Sequence, residues 1–417
     1  MRSAARLGSL SKWLCASAAL LLVGLAGAEG TLQLAALTLP AVRDRLNGGK
    51  PHFVTDARLG VRGDPLLVTE HDARGFRNAR LPRPGDIMAI GDSQTEGAFV
   101  ERADAWPQQL AAGTGLPVYQ MAFGSYGPPQ YELLVEDAIA FKPRAIIVAL
   151  YFGNDFGEAY DWVYEQGRSP ALRSTDEGVL RELEAARTAP ALSDDWQATK
   201  DAFHGWARSP ATRWVVHEAP RLKLVQLALR LRVARVGTAN QTATQPSWDH
   251  VLSASAGVDP NFLFPFADSR VRTAFTPRAR LAVLRSSDAR VREGTRIALR
   301  AIERMQIRCT GRAPFAVLLI PTKELVFAEE LRSSGVQIPA ALSELIASEA
   351  ALRFDLETRL SKQHVRWIDP LPALRNVIQL GRNPYRIDWD GHPNRLGHRI
   401  LAEGVATSEF TSAAVPQ

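Results

Sequence analysis

Cysteine is almost absent from this sequence. Only Cys15 and Cys309 occur among its 417 residues, and neither lies in a CxxC motif or a Cys/His cluster. The usual zinc-binding patterns are therefore missing. Because Cys15 lies inside an apolar N-terminal segment, a structural disulfide is not expected, and the cysteines say nothing about the redox compartment.

The sequence also lacks a dense Lys/Arg block, a low-complexity tract and internal repeats. Its net charge is +6, but the basic residues are mostly arginines interleaved with acids. This distribution is typical of a solvated basic surface and argues against nucleic-acid binding. Hydrophobic residues make up 46% of the chain, which is enough for a sizeable core. The length indicates one large domain with an insertion, or two domains.

A long apolar run occurs only near the N-terminus. A basic stretch ending at Lys12 precedes the uncharged residues 13–28, which is the pattern of an export signal. Cleavage after Ala28 would give a periplasmic or secreted protein. However, apolar character resumes after Glu29, and a span of roughly 20 residues also fits a single membrane anchor. The anchor is favoured, with the rest of the chain outside the cytoplasm.

Five short apolar runs have strand character and alternate with helical patterns. The third and fourth runs are almost continuously hydrophobic, as expected for strands covered on both faces. This alternation predicts an α/β fold, a three-layer α/β/α sandwich around a five-stranded parallel sheet. The predicted strands are 86–90, 118–122, 145–151, 315–320 and 365–368, and the predicted helices are 103–112, 129–140, 287–307, 340–360 and 394–406.

The gap between the third and fourth strands is too long for one crossover connection. We therefore expect a large, mostly helical, cap-like insertion at 161–288. Its basic and apolar run, 221–235, is expected to be a cap helix on the main domain; the alternative is a helix on a membrane surface. The other predicted segments are a signal peptide or anchor at 1–42, an irregular lead-in at 43–85, and the two halves of the sheet domain at 86–160 and 289–410.

Polar residues follow four of the five predicted strands. In an open parallel sheet, active sites gather at the carboxyl ends of the strands. A serine, backbone N–H groups, an asparagine amide and an Asp/His pair are the parts of an acyl-transfer site. They stand at Gly91-Asp92-Ser93, at Gly124-Ser125, at Gly153-Asn154-Asp155 and, after the fifth strand, at Asp388-Trp389-Asp390-Gly391-His392.

Each of these residues also has a purely structural interpretation. Ser93 could cap a helix, Asn154 could be a turn residue, and His392 could be an ordinary loop histidine. The combination favours Ser93 as nucleophile, Asn154 as an oxyanion donor and His392 as base. Of the eight histidines, His392 has nearby carboxylates and the HPN context. Asp155 and His398 are interpreted as structural.

In this order, GDSQTEG, the glycine-rich turn, GND and DGHPN resemble the four signature blocks of the SGNH (GDSL-type) hydrolase superfamily. The segment from GFRN to GND resembles its exported, often membrane-anchored bacterial branch. The PTKE motif at 321–324 resembles relatives that act on acetyl groups of exopolysaccharides. The resemblance covers residues 75–156 and 315–406, but not the insertion. It implies a flavodoxin-like fold and an oxyanion hole formed by Ser93, a donor in the glycine block and Asn154.

The sequence departs from the family pattern at two points. Trp389 stands where the common Asp-x-x-His form has its aspartate. The orienting carboxylate is then Asp390, which the Asp-x-His spacing of polysaccharide-modifying branches favours, or Asp388. In the glycine block, the expected glycine falls on Ser125, with Gly124 one residue earlier, and the backbone N–H of either could be the donor.

The resemblance implies an exported serine esterase with no metal or organic cofactor. Its substrate would be an acyl ester, with O-acetyl groups on a cell-envelope or extracellular polysaccharide favoured. Two alternatives stay open: an O-acyltransferase with the same residues, and a non-catalytic carbohydrate-binding or assembly protein on an SGNH scaffold. The intact Ser/Asn/His set argues against the second. The expected partners are acylated carbohydrate and, through the N-terminal segment, a membrane; protein partners are undetermined.

Overall fold

The centre of the fold is a five-stranded parallel sheet, described by a computed structural model of the chain. Its strands are β1 (Ile87–Gly91), β2 (Val118–Ala122), β3 (Ala145–Tyr151), β4 (Phe315–Ile320) and β5 (Arg366–Ile368). They lie in the order β2-β1-β3-β4-β5 and all pair in parallel. This is the order of flavodoxin-like doubly wound sheets.

The structure describes residues 2–46, 53–68, 70–187, 222–236 and 245–408. They form two compact units. The first lies within Met1–Thr69 and Trp206–Ala239. The second, within Glu70–Gly205 and Asn240–Gln417, contains the sheet.

The strand predictions are confirmed to within one residue at each end. Every residue of β1, β3 and β4 is buried, because helices cover both faces of an α/β sheet of this kind. The register places Gly91 beside Ala122 and Tyr151 beside Ile320. The residues that follow β1, β2, β3 and β4 therefore meet at one edge of the sheet.

Helices connect and cover the strands of the second unit. The predicted helices are present, with small shifts in their ends. Among the described residues, the helices of this unit are Ser93–Glu96, Trp106–Thr114, Pro128–Ala140, Asp155–Tyr160, Glu177–Ala186, Trp248–Ser255, Pro277–Leu281, Ala289–Cys309, Lys323–Val326, Ala328–Ser333, Ala340–Lys362, Leu371–Gln379 and Arg395–Ala406, with 3₁₀ turns at Arg102–Asp104 and Pro170–Leu172 and a π-turn at Asp161–Glu165.

Two antiparallel hairpins were not predicted. One, Phe53–Asp56 with Gly60–Gly63, lies in the segment expected to be irregular. The other, Phe264–Ala267 with Arg272–Phe275, lies in the segment expected to be mostly helical. Both use strands of four residues, too short for a clear alternating pattern. Parts of the predicted insertion, 188–221 and 237–244, lie outside the described residues.

The first unit contains the apolar N-terminal segment. Its described residues form the hairpin of Phe53–Asp56 with Gly60–Gly63 and the helices Arg2–Thr38, Pro40–Leu46 and Lys223–Val236. Among the described residues, one helical stretch is long and apolar enough to cross a membrane: Cys15–Thr38, with a mean hydropathy of 1.6.

The basic helix Lys223–Val236 belongs to this first unit and not to the sheet domain, on which a cap helix was expected. The carboxylate of Glu29 accepts the N–H groups of Lys223 and Leu224, at 2.9 and 2.8 Å, and so caps the helix. The buried Arg230 donates to Asp64 at 3.0 Å. These polar contacts, which are long-range in sequence, tie the helix to the N-terminal segment.

Candidate active site

The serine block forms a tight turn at the end of β1. Asp92 caps the short helix Ser93–Glu96, since its side chain accepts the N–H of Gln94 at 2.9 Å. Ser93 is therefore the first residue of the helix and not its cap. A Cβ atom on Gly91 would lie 2.3 Å from Thr95 Oγ1, so the turn needs glycine there. The hydroxyl of Ser93 is left available for another partner.

That partner is His392. Its Nε2 atom lies 2.8 Å from Ser93 Oγ, and its Nδ1 atom lies 2.6 Å from Asp390 Oδ1. The same carboxylate oxygen accepts the backbone N–H of His392 at 2.8 Å. With Nδ1 protonated toward Asp390, Nε2 is an acceptor for the serine hydroxyl. Serine, histidine and aspartate thus form one continuous hydrogen-bonded chain.

The environment of Asp390 favours its charged form. Burial alone would raise the pKa of this carboxyl, but the charge and hydrogen bonds of His392, together with the charge of Lys323, hold it well below its usual value. Asp390 is therefore ionised throughout the neutral range. An ionised carboxylate at Nδ1 both orients the imidazole and stabilises an imidazolium.

Asp388, the alternative orienting residue, has a different partner. Its carboxylate pairs with Arg386, with Nη2 at 2.6 Å from Oδ2. The Arg386 guanidinium lies over the ring of Phe99, 4.7 Å from its centroid, and that ring packs against His392 at 5.3 Å between centroids. Phe99 has a positive φ of 65°, a strained conformation for an aromatic residue. The ion pair of Asp388 with Arg386 is therefore linked to His392 through this stack.

In the glycine block, the backbone N–H of one candidate donor is already engaged, and the other candidate lines the cavity of the serine. The N–H of Gly124 already donates to the Glu96 carboxylate at 2.9 Å. Ser125 has a left-handed φ of 72° and lines the same cavity as Ser93. Of the two candidate donors, Ser125 is the one that the geometry favours.

Asn154 lies at the third strand end, as predicted. It directly precedes the helix Asp155–Tyr160, without a side-chain capping bond to it, and lines the cavity with Ser93 and His392. Its Nδ2 atom donates to Glu158 at 2.9 Å, which fixes the amide, and its side chain also interacts with the carboxylate of Asp92. Asp155 accepts the backbone N–H of Tyr151 at 2.9 Å, in keeping with a structural role.

Buried carboxyls surround the serine turn. Burial raises the pKa of Asp92 to about 6. Burial, with the charge of Asp92, also raises the pKa values of Asp155 and Glu158 well above the usual range. At neutral pH the three carboxyl groups of Asp92, Asp155 and Glu158 therefore carry less negative charge than three fully ionised carboxylates would.

These residues open onto one cavity of about 340 Å³. Residues from the serine turn, the glycine block, the Asn154 loop, the 161–288 segment and the histidine loop line it together, among them Ser93, Gln94, Ser125, Asn154, Arg280 and His392. A larger cavity of about 570 Å³ lies between the helices Ala289–Cys309 and Ala340–Lys362. No histidine is among the described residues that line it, so we place the candidate site in the smaller one.

A scan against models of known protein families finds no match for this chain. A search of curated proteins finds no relative either. The geometry of the site therefore carries the functional argument.

Two cations of the site, the half-buried Arg280 and the buried Lys323, were not predicted as functional residues. Arg280, on the helix Pro277–Leu281, donates to the carbonyl of Gly153 at 3.1 Å. A Cβ atom on Gly391 would lie 2.9 Å from its Nη2 atom, so glycine lets the guanidinium approach the histidine loop. Lys323, in the PTKE motif after β4, donates to two carbonyls of that loop. Only the position of Lys323 at a strand end could have indicated this.

His398 occupies a structural position, as its sequence context predicts. It is fully buried, and its Nδ1 atom accepts the backbone N–H of Trp106 at 3.3 Å. Burial lowers its pKa to about 3, so the imidazole is neutral.

Proposed function

We propose that this chain is a serine esterase of the SGNH type. The observation that carries the proposal is the hydrogen-bonded chain from Ser93 Oγ through His392 to Asp390, with distances of 2.8 and 2.6 Å. This hydrogen-bond network opens onto a cavity at the carboxyl edge of a parallel sheet, where ligands bind in folds of this class. The order of the serine, glycine, asparagine and histidine blocks, and the 2-1-3-4-5 strand order, support the same assignment.

In the proposed mechanism, His392 accepts the proton of Ser93 as the hydroxyl attacks the carbonyl carbon of an ester. Asp390 holds the imidazole with Nδ1 protonated and stabilises the imidazolium that forms. The alcohol leaves with a proton from His392, and an acyl-serine remains. Water, deprotonated by His392, then attacks the acyl group and releases the acid and free Ser93.

The oxyanion of the tetrahedral intermediate needs donors that are already in place. In this proposal they are the backbone N–H groups of Ser93 and Ser125 and the side-chain amide of Asn154. The bond between Glu96 and the Gly124 N–H supports this choice, because it fixes the turn while engaging the other candidate donor.

We further propose that the substrate is an O-acetyl ester on a cell-envelope or extracellular polysaccharide, and that the chain is exported and anchored by its N-terminal helix. The apolar stretch Cys15–Thr38 supports the anchor. The PTKE motif and the Asp-x-His spacing support the choice of substrate class.

Labelling with a fluorophosphonate tests the nucleophile. The wild-type protein should be labelled and should hydrolyse an aryl acetate, and Ser93→Ala should lose both properties. Ser343→Ala, an exposed serine on a helix, is the matched control and should behave like the wild type. Undiminished labelling of Ser93→Ala would overturn the assignment. Product analysis with an acetylated polysaccharide then separates hydrolysis, which releases acetate, from transfer to a second sugar hydroxyl.

A further inference from the structure

Lys323 is a lysine with no exposed surface. It begins the short helix Lys323–Val326 after β4, which Thr322 caps. An ammonium group removed from water needs acceptors for its N–H donors. Lys323 finds two of them, the backbone carbonyls of Asp388 at 2.8 Å and of Asp390 at 2.9 Å. The ring of Phe275, 5.7 Å from Nζ, covers another side of the ammonium.

Both carbonyls belong to the loop that carries the orienting aspartate. They flank Trp389, so a single ammonium binds alternate peptide groups and fixes the backbone between them. The carboxylate of Asp390 projects from this stretch to Nδ1 of His392, at 2.6 Å. A shift of the Asp390 backbone would therefore move the carboxylate away from the imidazole.

We propose that Lys323 is a positioning residue of this site: its buried ammonium holds the backbone at residues 388–390 so that Asp390 meets His392. The inference rests on the proposed function, since it concerns the rate at which Ser93 is activated. Lys323 acts through the loop and does not touch the reacting atoms. The PTKE motif thereby gains a physical role, because its lysine links the end of β4 to the histidine loop.

The first test replaces the lysine by methionine, which keeps most of its length and removes its donors. The measured quantities are the rate constant of fluorophosphonate labelling per active site, and kcat and KM for an aryl acetate. For Lys323→Met we expect kcat and the labelling rate constant to fall about 100-fold, a typical loss when a catalytic group is displaced by about 1 Å. KM should change less than threefold, and labelling should still reach one group per folded chain.

Leu325→Ala is the matched control. Leu325 is buried in the same short helix, so the substitution destabilises the region without removing a donor to the loop. It should lower the free energy of unfolding while leaving the labelling rate constant per active site unchanged. A Lys323→Met protein with the wild-type rate constant would overturn the proposal. If wild-type protein were not labelled at Ser93 at all, the proposed function would fail instead, so the two failures are distinguishable.

A pH profile of the wild-type protein covers the case in which Lys323→Met does not fold. Burial lowers the pKa of Lys323 to about 8, with a smaller contribution from the charge of Arg280 and against the opposing charges of Glu324 on its own helix and of Asp388 and Asp390 on the loop. Above that pH the ammonium loses its charge, and both carbonyl bonds weaken. The labelling rate constant should therefore fall at least fivefold between pH 7.5 and pH 9.5, values on either side of this pKa.

The deprotonation of Lys323 cannot lower the labelling rate constant by unfolding the protein. Because the pKa of Lys323 is lower in the folded state, the unfolded chain binds more protons above pH 8, and this group makes stability rise with pH there. Circular dichroism should accordingly show an unchanged fold over the same range. A labelling rate constant that stays constant across this range would contradict the proposal.

Discussion

Asp388 forms an ion pair with Arg386, in which Nη2 lies 2.6 Å from Oδ2. Both side chains are buried, and Asp388 also accepts the backbone N–H of Asp390 at 3.0 Å. Asp388 thus supports the histidine loop, whereas Asp390 contacts the imidazole. The two aspartates, which the sequence alone presents as alternatives, have separable tasks.

Replacing each aspartate by asparagine should separate those tasks. Asp390→Asn should lower kcat by roughly 10⁴-fold, because an amide no longer holds the correct tautomer of His392. Asp388→Asn should lower kcat less than tenfold but reduce the free energy of unfolding by about 3 kcal/mol, since it breaks a buried ion pair. Aryl acetate hydrolysis and urea denaturation measure the two effects. Full activity of Asp390→Asn would show that Asp390 is not the orienting residue.

Asn154 should matter for rate and not for binding. Asn154→Ala should lower kcat by about 100- to 1,000-fold with little change in KM, as expected when one oxyanion donor is removed. Glu158→Gln is the matched control, because glutamine keeps an acceptor for the Asn154 amide. In the wild-type structure, Asn154 Nδ2 lies 2.9 Å from Glu158 Oε1. Steady-state kinetics on both variants would check this. A loss below threefold in Asn154→Ala would remove its side chain from the oxyanion hole.

Ser125 should tolerate glycine. Its φ of 72° lies in the left-handed region, where a side chain costs about 1 kcal/mol and glycine is not strained. Ser125→Gly should therefore retain or slightly increase the free energy of unfolding and keep kcat within threefold, because the proposed donor is the backbone N–H. Ser125→Val, which is β-branched, should be destabilised by more than 1 kcal/mol. A tenfold loss of kcat in Ser125→Gly would instead implicate the serine hydroxyl.

Asp92 should make stability depend on pH. Burial raises its pKa to about 6, so between about pH 4 and pH 6 the folded state holds a proton that the unfolded chain has lost. Its contribution to stability is present at low pH and is lost as pH rises through this window, by about 3 kcal/mol. Asp92→Asn keeps an acceptor for the Gln94 N–H but does not titrate.

Urea denaturation at pH 4 and pH 8 tests this. The gain in the free energy of unfolding of Asp92→Asn over the wild type should be larger at pH 8 by about 3 kcal/mol. An equal difference at both values would mean that Asp92 does not titrate in this window.

The strands and the three blocks that directly follow β1, β2 and β3 could be predicted because their signals are local, whereas the helix Leu371–Gln379 separates the histidine block from β5. Continuous apolar runs followed by glycine, serine and asparagine mark buried strands and their ends. The role of Asp92 as the helix cap could not be predicted in this way, because aspartate and serine are both common caps and adjacent here. Its side chain accepts from Gln94, and Ser93 is thereby left to His392.

Long-range polar contacts account for most of what the sequence did not indicate. Arg280 and Lys323 are charged residues that local rules place on the surface, yet both are drawn into the site by backbone carbonyls of distant loops. Likewise, Glu29 caps the basic helix Lys223–Val236 from 194 residues earlier in the chain, and this contact ties the helix to the N-terminal segment. Such pairings depend on the whole fold and leave no periodic pattern.

The separation of Ser93 and His392 in the sequence also determines the order in which the parts of the site are synthesised. The nucleophile is made early, but 299 residues must follow before its base exists. A chain still growing on the ribosome has the serine turn and the first three strands, and yet no group that can take the serine proton. The proposed activity would therefore begin only after β5 and the histidine loop have been synthesised and have packed onto the rest of the domain. Until then the growing chain contains Ser93 but no base to activate it.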